Sequence, residues 1–313
     1  SLYVDALFGA GLSKPLSGRA QDLARAAAAA RVPVVAIDLP SGLDASTDVV
    51  FETIDTSGVK RQKTVRPTTV DATGAEAQVI VPTDAMTGVV RVVGDRNNAE
   101  VRLQIVPVVS GLDVSSVATD GSVAYVYLNG LGFVEGAGEY RFGDEVILDA
   151  GVNTGVDVQQ GSYPSYTANG TAYLTVPLNA GSFGPITVKT AGGVSAPFSI
   201  GLTGLDAQAL SGTTADANAA SANPGQTITL LGSGLSTGTD VLLRYQDDGG
   251  NLRMVKLNPI AAAGDGTSAT LTVPTSANGA YALQILGASG QPMLQIVPTL
   301  RGYNVTSHNY LYP

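Results

Sequence analysis

Gly9-Ala10-Gly11, at the end of the apolar run Leu2–Phe8, is the kind of turn whose backbone N–H groups can cradle a phosphate where a helix follows. Asp5 and Asp38 sit at the ends of apolar runs, where a carboxylate could do chemistry or simply face water. His308 is the only histidine, so a Ser-His-Asp triad would have to recruit the last residues of the chain; a surface side chain is the plainer reading. Asp144, Asp149, Asp157, Asp247, Asp248 and Asp265 occupy turn-rich stretches and could hold calcium. None follows the spaced Asp-x-Asp-x-Asp-Gly pattern, and solvated turn residues would look the same. Tyr163, Tyr166 and Tyr173, with Ser162 and Ser165, could form a contact patch for carbohydrate or protein, or be ordinary strand tyrosines. Cysteine is absent, which removes disulfides, thiolate metal sites and thiol nucleophiles.

The elements that would position these groups change character along the chain. Over 1–47 the order is strand, helix, strand: Leu2–Phe8, then Gln21–Ala30 with its alanine run, then Val32–Ile37. This predicts one βαβ unit with a parallel pair. From Asp48 onward short alternating strands are punctuated by Gly, Asp, Asn and Ser turns, and Gln246–Asn251 reads as a hairpin.

An internal repeat organises this second part. Leu103–Pro107 and Leu294–Pro298 are both Leu-Gln-Ile-Val-Pro; Val81-Pro82-Thr83 answers Val273-Pro274-Thr275; Asp48–Phe51 answers Asp240–Leu243. The offset is 192 for the last two and 191 for the pentapeptide, so one residue drops out between Thr83 and Gly88. A divergent copy lies between, with Ser122–Leu128 as its first strand and Leu174–Pro177 answering Leu271–Pro274. The expected division is 1–47, an incomplete module at 48–107 (completed by 34–47 if that stretch supplies its opening strand), a module at 108–200, another at 201–300, and the start of a further one at 301–313. The linkers Val108–Val117 and Gly201–Ser221 set the spacing, and the second has room for an extra strand or a flexible stretch. The expected fold is mainly β: tandem sandwiches behind a short βαβ-like or helical segment.

The motif Gly-x-x-Ile-Thr-Leu-x-Gly-x-Gly-Leu at Gly225–Leu235, with Leu271–Pro274 and Gly279–Ile296, resembles the IPT/TIG family of Ig-like domains. That resemblance implies an extracellular or bacterial cell-surface protein of adhesin type. Its partners would be neighbouring modules, other copies of itself, or host or matrix glycan and protein.

Val4–Gly18 and Val35–Asp44 resemble instead a fragment of NAD(P)H-hydrate epimerase, the YjeF N-terminal family. By that resemblance Asp5 and Ser41 would hold potassium, Gly9, Ala10, Gly11, Leu12, Ser13 and Lys14 would face the nucleotide, and Asp38 would contact the hydrated nicotinamide. The match ends at Thr47, and a single βαβ unit is too small to close a doubly wound sheet. Ser41-Gly42-Leu43 and Thr47-Asp48 also align with Ser233-Gly234-Leu235 and Thr239-Asp240 at the same offset of 192. That alignment leads us to expect Val34–Leu39 in the place that Gln226–Leu231 fills in the last copy.

Length and composition narrow the rest. The chain has 313 residues, 44% hydrophobic but only 14% charged, with a net charge of −9. A nucleic-acid partner would want a basic face, and an anionic membrane surface would repel this chain. No apolar stretch is long enough to span a bilayer as a helix. Ser1–Asp5 lacks the basic start of a signal peptide, so the start reads as a fragment boundary. The expected function is therefore a non-enzymatic stalk or assembly module with no cofactor, and the alternatives are an epimerase or a strand-exchanged filament subunit.

Overall fold

The computed structural model describes residues 3–5 and 34–36 (backbone only), 48–54, 59–70, 76–94, 100–151, 155–159 and 169–300. It is mainly β, with several antiparallel sheets; among the described residues the one helical turn is Ala180–Ser182. The predicted helix over Gln21–Ala30 lies outside the described residues.

Strands β1 (Tyr3–Asp5) and β2 (Val34–Ala36) form a parallel pair, with Tyr3 opposite Val34 and Asp5 opposite Ala36. The expected parallel pair is present between these six residues. The expectation that Val34–Leu39 would take the place of Gln226–Leu231 is corrected: among the described residues β2 pairs with β1 alone. Val34-Val35-Ala36-Ile37 is uninterrupted and apolar, as parallel strands covered on both faces are. An outer antiparallel strand would need alternation, which this run lacks.

The first repeat follows as β3 (Val49–Ile54), β4 (Lys60–Val65), β5 (Thr69–Val70), β6 (Ala77–Gln78), β7 (Gly88–Val92) and β8 (Val101–Leu103). Its sheets are β4-β3-β7-β8 and β5-β6, and β1 lies beside β6 without joining its ladder. The middle segment holds β9 (Val108–Val117), β10 (Val123–Leu131), β11 (Glu139–Phe142), β12 (Glu145–Leu148), β13 (Val156–Gln159), β14 (Thr171–Pro177), β15 (Ile186–Thr190) and β16 (Gly193–Val194). They form the sheets β13-β14-β10-β9 and β12-β11-β15-β16. The last segment holds β17 (Gly201–Asp206), β18 (Ala220–Ala222), β19 (Thr227–Ser233), β20 (Val241–Gln246), β21 (Leu252–Leu257), β22 (Ala261–Ala262), β23 (Ser268–Thr272), β24 (Ala280–Gln284) and β25 (Met293–Ile296). Its sheets are β17-β19-β23-β22 and β18-β25-β24-β20-β21.

The repeat holds at the level of hydrogen-bond register. Val49 faces Val65 as Val241 faces Leu257, Thr69 faces Gln78 as Ala261 faces Thr270, and Gly88 faces Leu103 as Ala280 faces Gln295. All three correspondences are at an offset of 192. The difference lies between the central strands: Val50 stands opposite Arg91, whereas its counterpart Leu242 stands opposite Gln284, a slip of one position. Val90 is buried in one cluster with Phe51, as Leu283 is with Leu243.

Each segment gathers its own apolar cluster. Val49, Phe51, Val79, Val90 and Leu103 form a small one in the first repeat. Larger clusters draw on both sheets of the middle and last segments, around Val126, Leu128, Tyr140, Phe142 and Leu174, and around Ile228, Leu230, Leu243, Leu271 and Leu283. Counterparts of β17 and β19 are missing from the first repeat's described sheets, which accounts for its smaller core.

Candidate functional site at the joint of 108–200 and 201–300

The most heavily built polar site among the described residues joins the middle and last segments. Asp240 precedes β20, and its side chain is only 5% exposed. Its Oδ2 accepts the backbone N–H of Val114, on β9, at 2.6 Å. Its Oδ1 accepts Asn258 Nδ2 at 2.7 Å and lies 3.1 Å from Lys256 Nζ. Lys256, on β21, donates in turn to the Val114 carbonyl at 2.6 Å. Both backbone groups of one β9 residue are thus satisfied by a carboxylate and an ammonium from the other segment. Val114 belongs to a bulge in the β9–β10 ladder, where the pairing skips from Ser116 to Val114.

Apolar packing and backbone bonds close the joint around this clamp. Leu242, Met254 and Leu286 of the last segment belong to the middle segment's core, and burial of such a side chain is worth about 1.5–3 kcal/mol. Met254 N donates to the Thr119 carbonyl at 3.1 Å and Ile200 N to the Gly287 carbonyl at 2.9 Å. Beside the clamp lies a cavity of about 290 Å³, with an apolar floor of Leu112, Phe198 and Ile285 and a hydroxyl rim of Ser110, Ser236 and Thr239. It offers no nucleophile with a base beside it: Ser236 N–H donates to Thr239 Oγ1, and Asp240 is spent on the clamp. The joint between 48–107 and 108–200 is polar and lighter, with Asn169 Nδ2 donating to the Asp84 carbonyl at 3.2 Å.

A second polar group lies in the middle segment. Glu135 Oε2 accepts Val158 N–H at 2.6 Å, and Asp149 Oδ2 accepts Gly136 N–H at 2.8 Å. Burial pushes the Asp149 carboxyl above its usual range, partly offset by those N–H donors. The Tyr140 hydroxyl is fully buried near both carboxylates and makes no hydrogen bond; burial first, then the two charges, keep it protonated. The two carboxylates tie the 134–138 turn to 149–158 instead of presenting a reactive group.

The sequence-derived candidates are dispersed. Asp5 ends β1 opposite Ala36, while Gly9, Ala10, Gly11, Leu12, Ser13, Lys14, Asp38, Ser41, Tyr163, Tyr166 and His308 lie outside the described residues. Tyr173 on β14 faces Tyr127 on β10, with ring centroids 4.9 Å apart, so its ring is engaged within the sheet. Asp247 organises the β20–β21 hairpin, accepting from Asn251 N–H at 2.8 Å and Arg253 Nε at 2.7 Å. The Arg253 bond leads in drawing its carboxyl down to about 2. Asp265 accepts from the Thr267 hydroxyl and N–H. Among the described residues no three acidic or imidazole side chains gather as a metal site would require. Sequence reasoning missed the clamp; the one signal for it was that an Asp opens the same strand in both copies, at Asp48 and Asp240.

Residues 1–96 match the family described as YjeF-related protein N-terminus. The NAD(P)H-hydrate epimerase of Weissella koreensis is 53% identical over 47 residues, which is 15% of this chain and 21% of that protein. That of Rhodobacter capsulatus is 61% identical over 44 residues, 14% of this chain and 20% of that protein. The chain thus spans about a fifth of the length of these curated relatives. From β3 onward the matched stretch is antiparallel and keeps the register of 241–295. Among solved structures, SGBP-B from a complex xyloglucan utilization locus in Bacteroides uniformis overlaps 60% of this chain and 48% of its own, at 12% identity and a TM-score of 0.23. A tetra-tandem repeat in the extending region of a large adhesion protein overlaps 80% of this chain and 66% of its own, at 15% identity and a TM-score of 0.19. Overlaps this loose carry no argument about fold or function. Among the described residues no helix is long and apolar enough to cross a membrane.

Proposed function

We propose that the chain is a non-enzymatic structural element of a bacterial surface protein, a spacer of tandem Ig-like modules of IPT/TIG type that positions whatever it carries. The observation that carries this reading is the joint at Val114, Asp240 and Lys256. Two segments with separate cores share buried side chains and an ion pair with a buried carboxylate, which suits a rigid connection better than a hinge. The repeat at constant register supports the same reading, since stacked units extend a protein without new chemistry. Its adhesive partner would be glycan or protein at a matrix or host surface. Small-angle scattering of the purified chain is the test: 108–300 should fit one rigid elongated body at low and high salt. A distribution of inter-segment angles would overturn the reading.

A second reading, NAD(P)H-hydrate epimerase, has a specific observation in its favour: the high identity over 47 residues. Asp38 would then act on the hydrated nicotinamide, with Asp5 and Ser41 holding potassium. Epimerisation of hydrated NADPH with potassium present, abolished by Asp38→Ala, would establish it. No turnover at high enzyme concentration would remove it.

A further inference from the structure

The edge strand β21 of the last segment packs against β9 of the middle segment, whereas its counterpart β4, at the same register, pairs only with β3 among the described residues. The sequences answer this difference. Leu252–Leu257 reads LRMVKL, and Met254 is buried in the joint. Lys60–Val65 reads KRQKTV, and every residue from Lys60 to Thr64 is exposed. With Arg66, four cations fall within seven positions of an acidic chain. Charged edges ward off indiscriminate pairing, and a strongly basic one also repels its own copy while attracting an acidic strand.

Such a strand is present. β12 forms the other open edge of note, pairing only with β11 among the described residues. It is entered through exposed Asp144 and half-buried Glu145, and it leaves Val146 at 39% and Leu148 at 62% exposure. It belongs to the most acidic part of the molecule: residues 108–200 carry eight carboxylates against Arg141 and Lys189, a net −6. In the last segment, the counterpart of β4 is covered by this same acidic segment.

We propose that β4 of one molecule adds to β12 of a second copy, a head-to-tail strand addition in which Lys60 of β4 faces Asp144; Lys63 stays paired with Asp84 of its own segment. Backbone hydrogen bonds close both edges, and the aliphatic stem of Lys60 covers part of the face that Val146 and Leu148 share. Because the two surfaces differ, each molecule keeps one of each kind, and the contact propagates as a chain of molecules instead of closing as a two-fold dimer. This deepens the structural reading above and rests on it. The rigid-body test concerns one molecule and can succeed or fail independently of the following one.

The test is sedimentation velocity on the full chain over a wide concentration range, at ionic strengths of about 0.01 M and about 1 M, between which the screening length falls from about 30 to about 3 Å. Concentration-dependent growth at low salt that vanishes at high salt is expected. Lys60→Glu with Gln62→Glu turns β4 acidic, and Asp144→Lys with Val146→Lys turns β12 basic; all four positions are exposed, and unchanged circular dichroism checks the fold. Each double variant alone should associate at least about tenfold more weakly, whereas an equimolar mixture should regain association, because each then supplies the edge the other needs. A monomer at every concentration in low salt overturns the proposal. So does growth that survives about 1 M salt, or a mixture no larger than its separate components.

Discussion

The first and last segments carry the same ladder in different surroundings. β3–β4 and β20–β21 agree pair for pair, yet Phe51 heads a cluster of five buried side chains and Leu243 belongs to one drawn from two full sheets. Asp48 and Asp240 open equivalent strands. Asp48 meets Arg66, whose side chain is 67% exposed, while Asp240 is sealed against Val114 and Lys256. Register is therefore a local property, carried by the alternation and turns of each hairpin, and it survives wherever those residues recur. What a residue contributes depends on what its neighbours cover.

Core truncation should separate the two most strongly. Phe51→Ala is expected to cost about 3–5 kcal/mol and to melt 48–107 on its own, because that small cluster has no side chain in common with the other two. Calorimetry should show one transition falling and the larger one unmoved. Leu243→Ala, at the equivalent position, should instead lower the larger transition by about 2–5 kcal/mol. A single cooperative transition that both substitutions lower alike would break the comparison.

The paired aspartates sharpen it. Removing Asp240 leaves Val114 N–H without its acceptor and the Lys256 ammonium with the Val114 carbonyl but no counter-charge. We expect Asp240→Ala to cost about 2–4 kcal/mol, below the top of the range for a sealed pair because Lys256 keeps 28% of its side chain in solvent. Asp48→Ala removes only a surface pair and should stay within about 1 kcal/mol by denaturant titration. Equal costs would mean that the joint contributes nothing beyond a surface contact.

The smallest effect concerns the hairpin at Asp247. Its folded pKa lies below that of a free aspartate, so its contribution is fully present above the unfolded value near 3.8 and is lost as pH falls through about 2. Stability of the wild-type chain should therefore decline faster than that of Asp247→Asn between pH 4 and about 2. Parallel curves would show that the turn holds without the charge.

Much of this architecture was legible in the residues because it is written locally. The recurrence of Asp-Val, Val-Pro-Thr and Leu-Gln-Ile-Val-Pro located the repeat, the Asp-Gly-Gly stretch located the hairpin at Asp247, and the uninterrupted apolar run at Val34 pointed to a parallel strand. Placing that run in the later module failed because the offset through Ser41-Gly42-Leu43 records likeness of sequence, whereas partner choice follows the pattern of faces. The clamp was not legible. It joins Val114 to residues 126 and 142 positions away, and nothing near Val114 marks a strand whose N–H and carbonyl will be met by side chains. Nor did the residues announce that the β3–β7 ladder would be one position out of step with β20–β24.

That separation also sets a clock. At a synthesis rate of about 5–20 residues per second, the ribosome adds Asp240 some 6–25 s after Val114. For about the last 2–8 s of that interval, after Ile200, the middle segment is complete and able to collapse, while the outward N–H and carbonyl of Val114 still lack their side-chain partners. The joint can therefore close only after the middle segment has been made. A nascent chain stalled before Asp240 should expose that stretch of β9 to proteases and holdase chaperones, and one released after Lys256 should not.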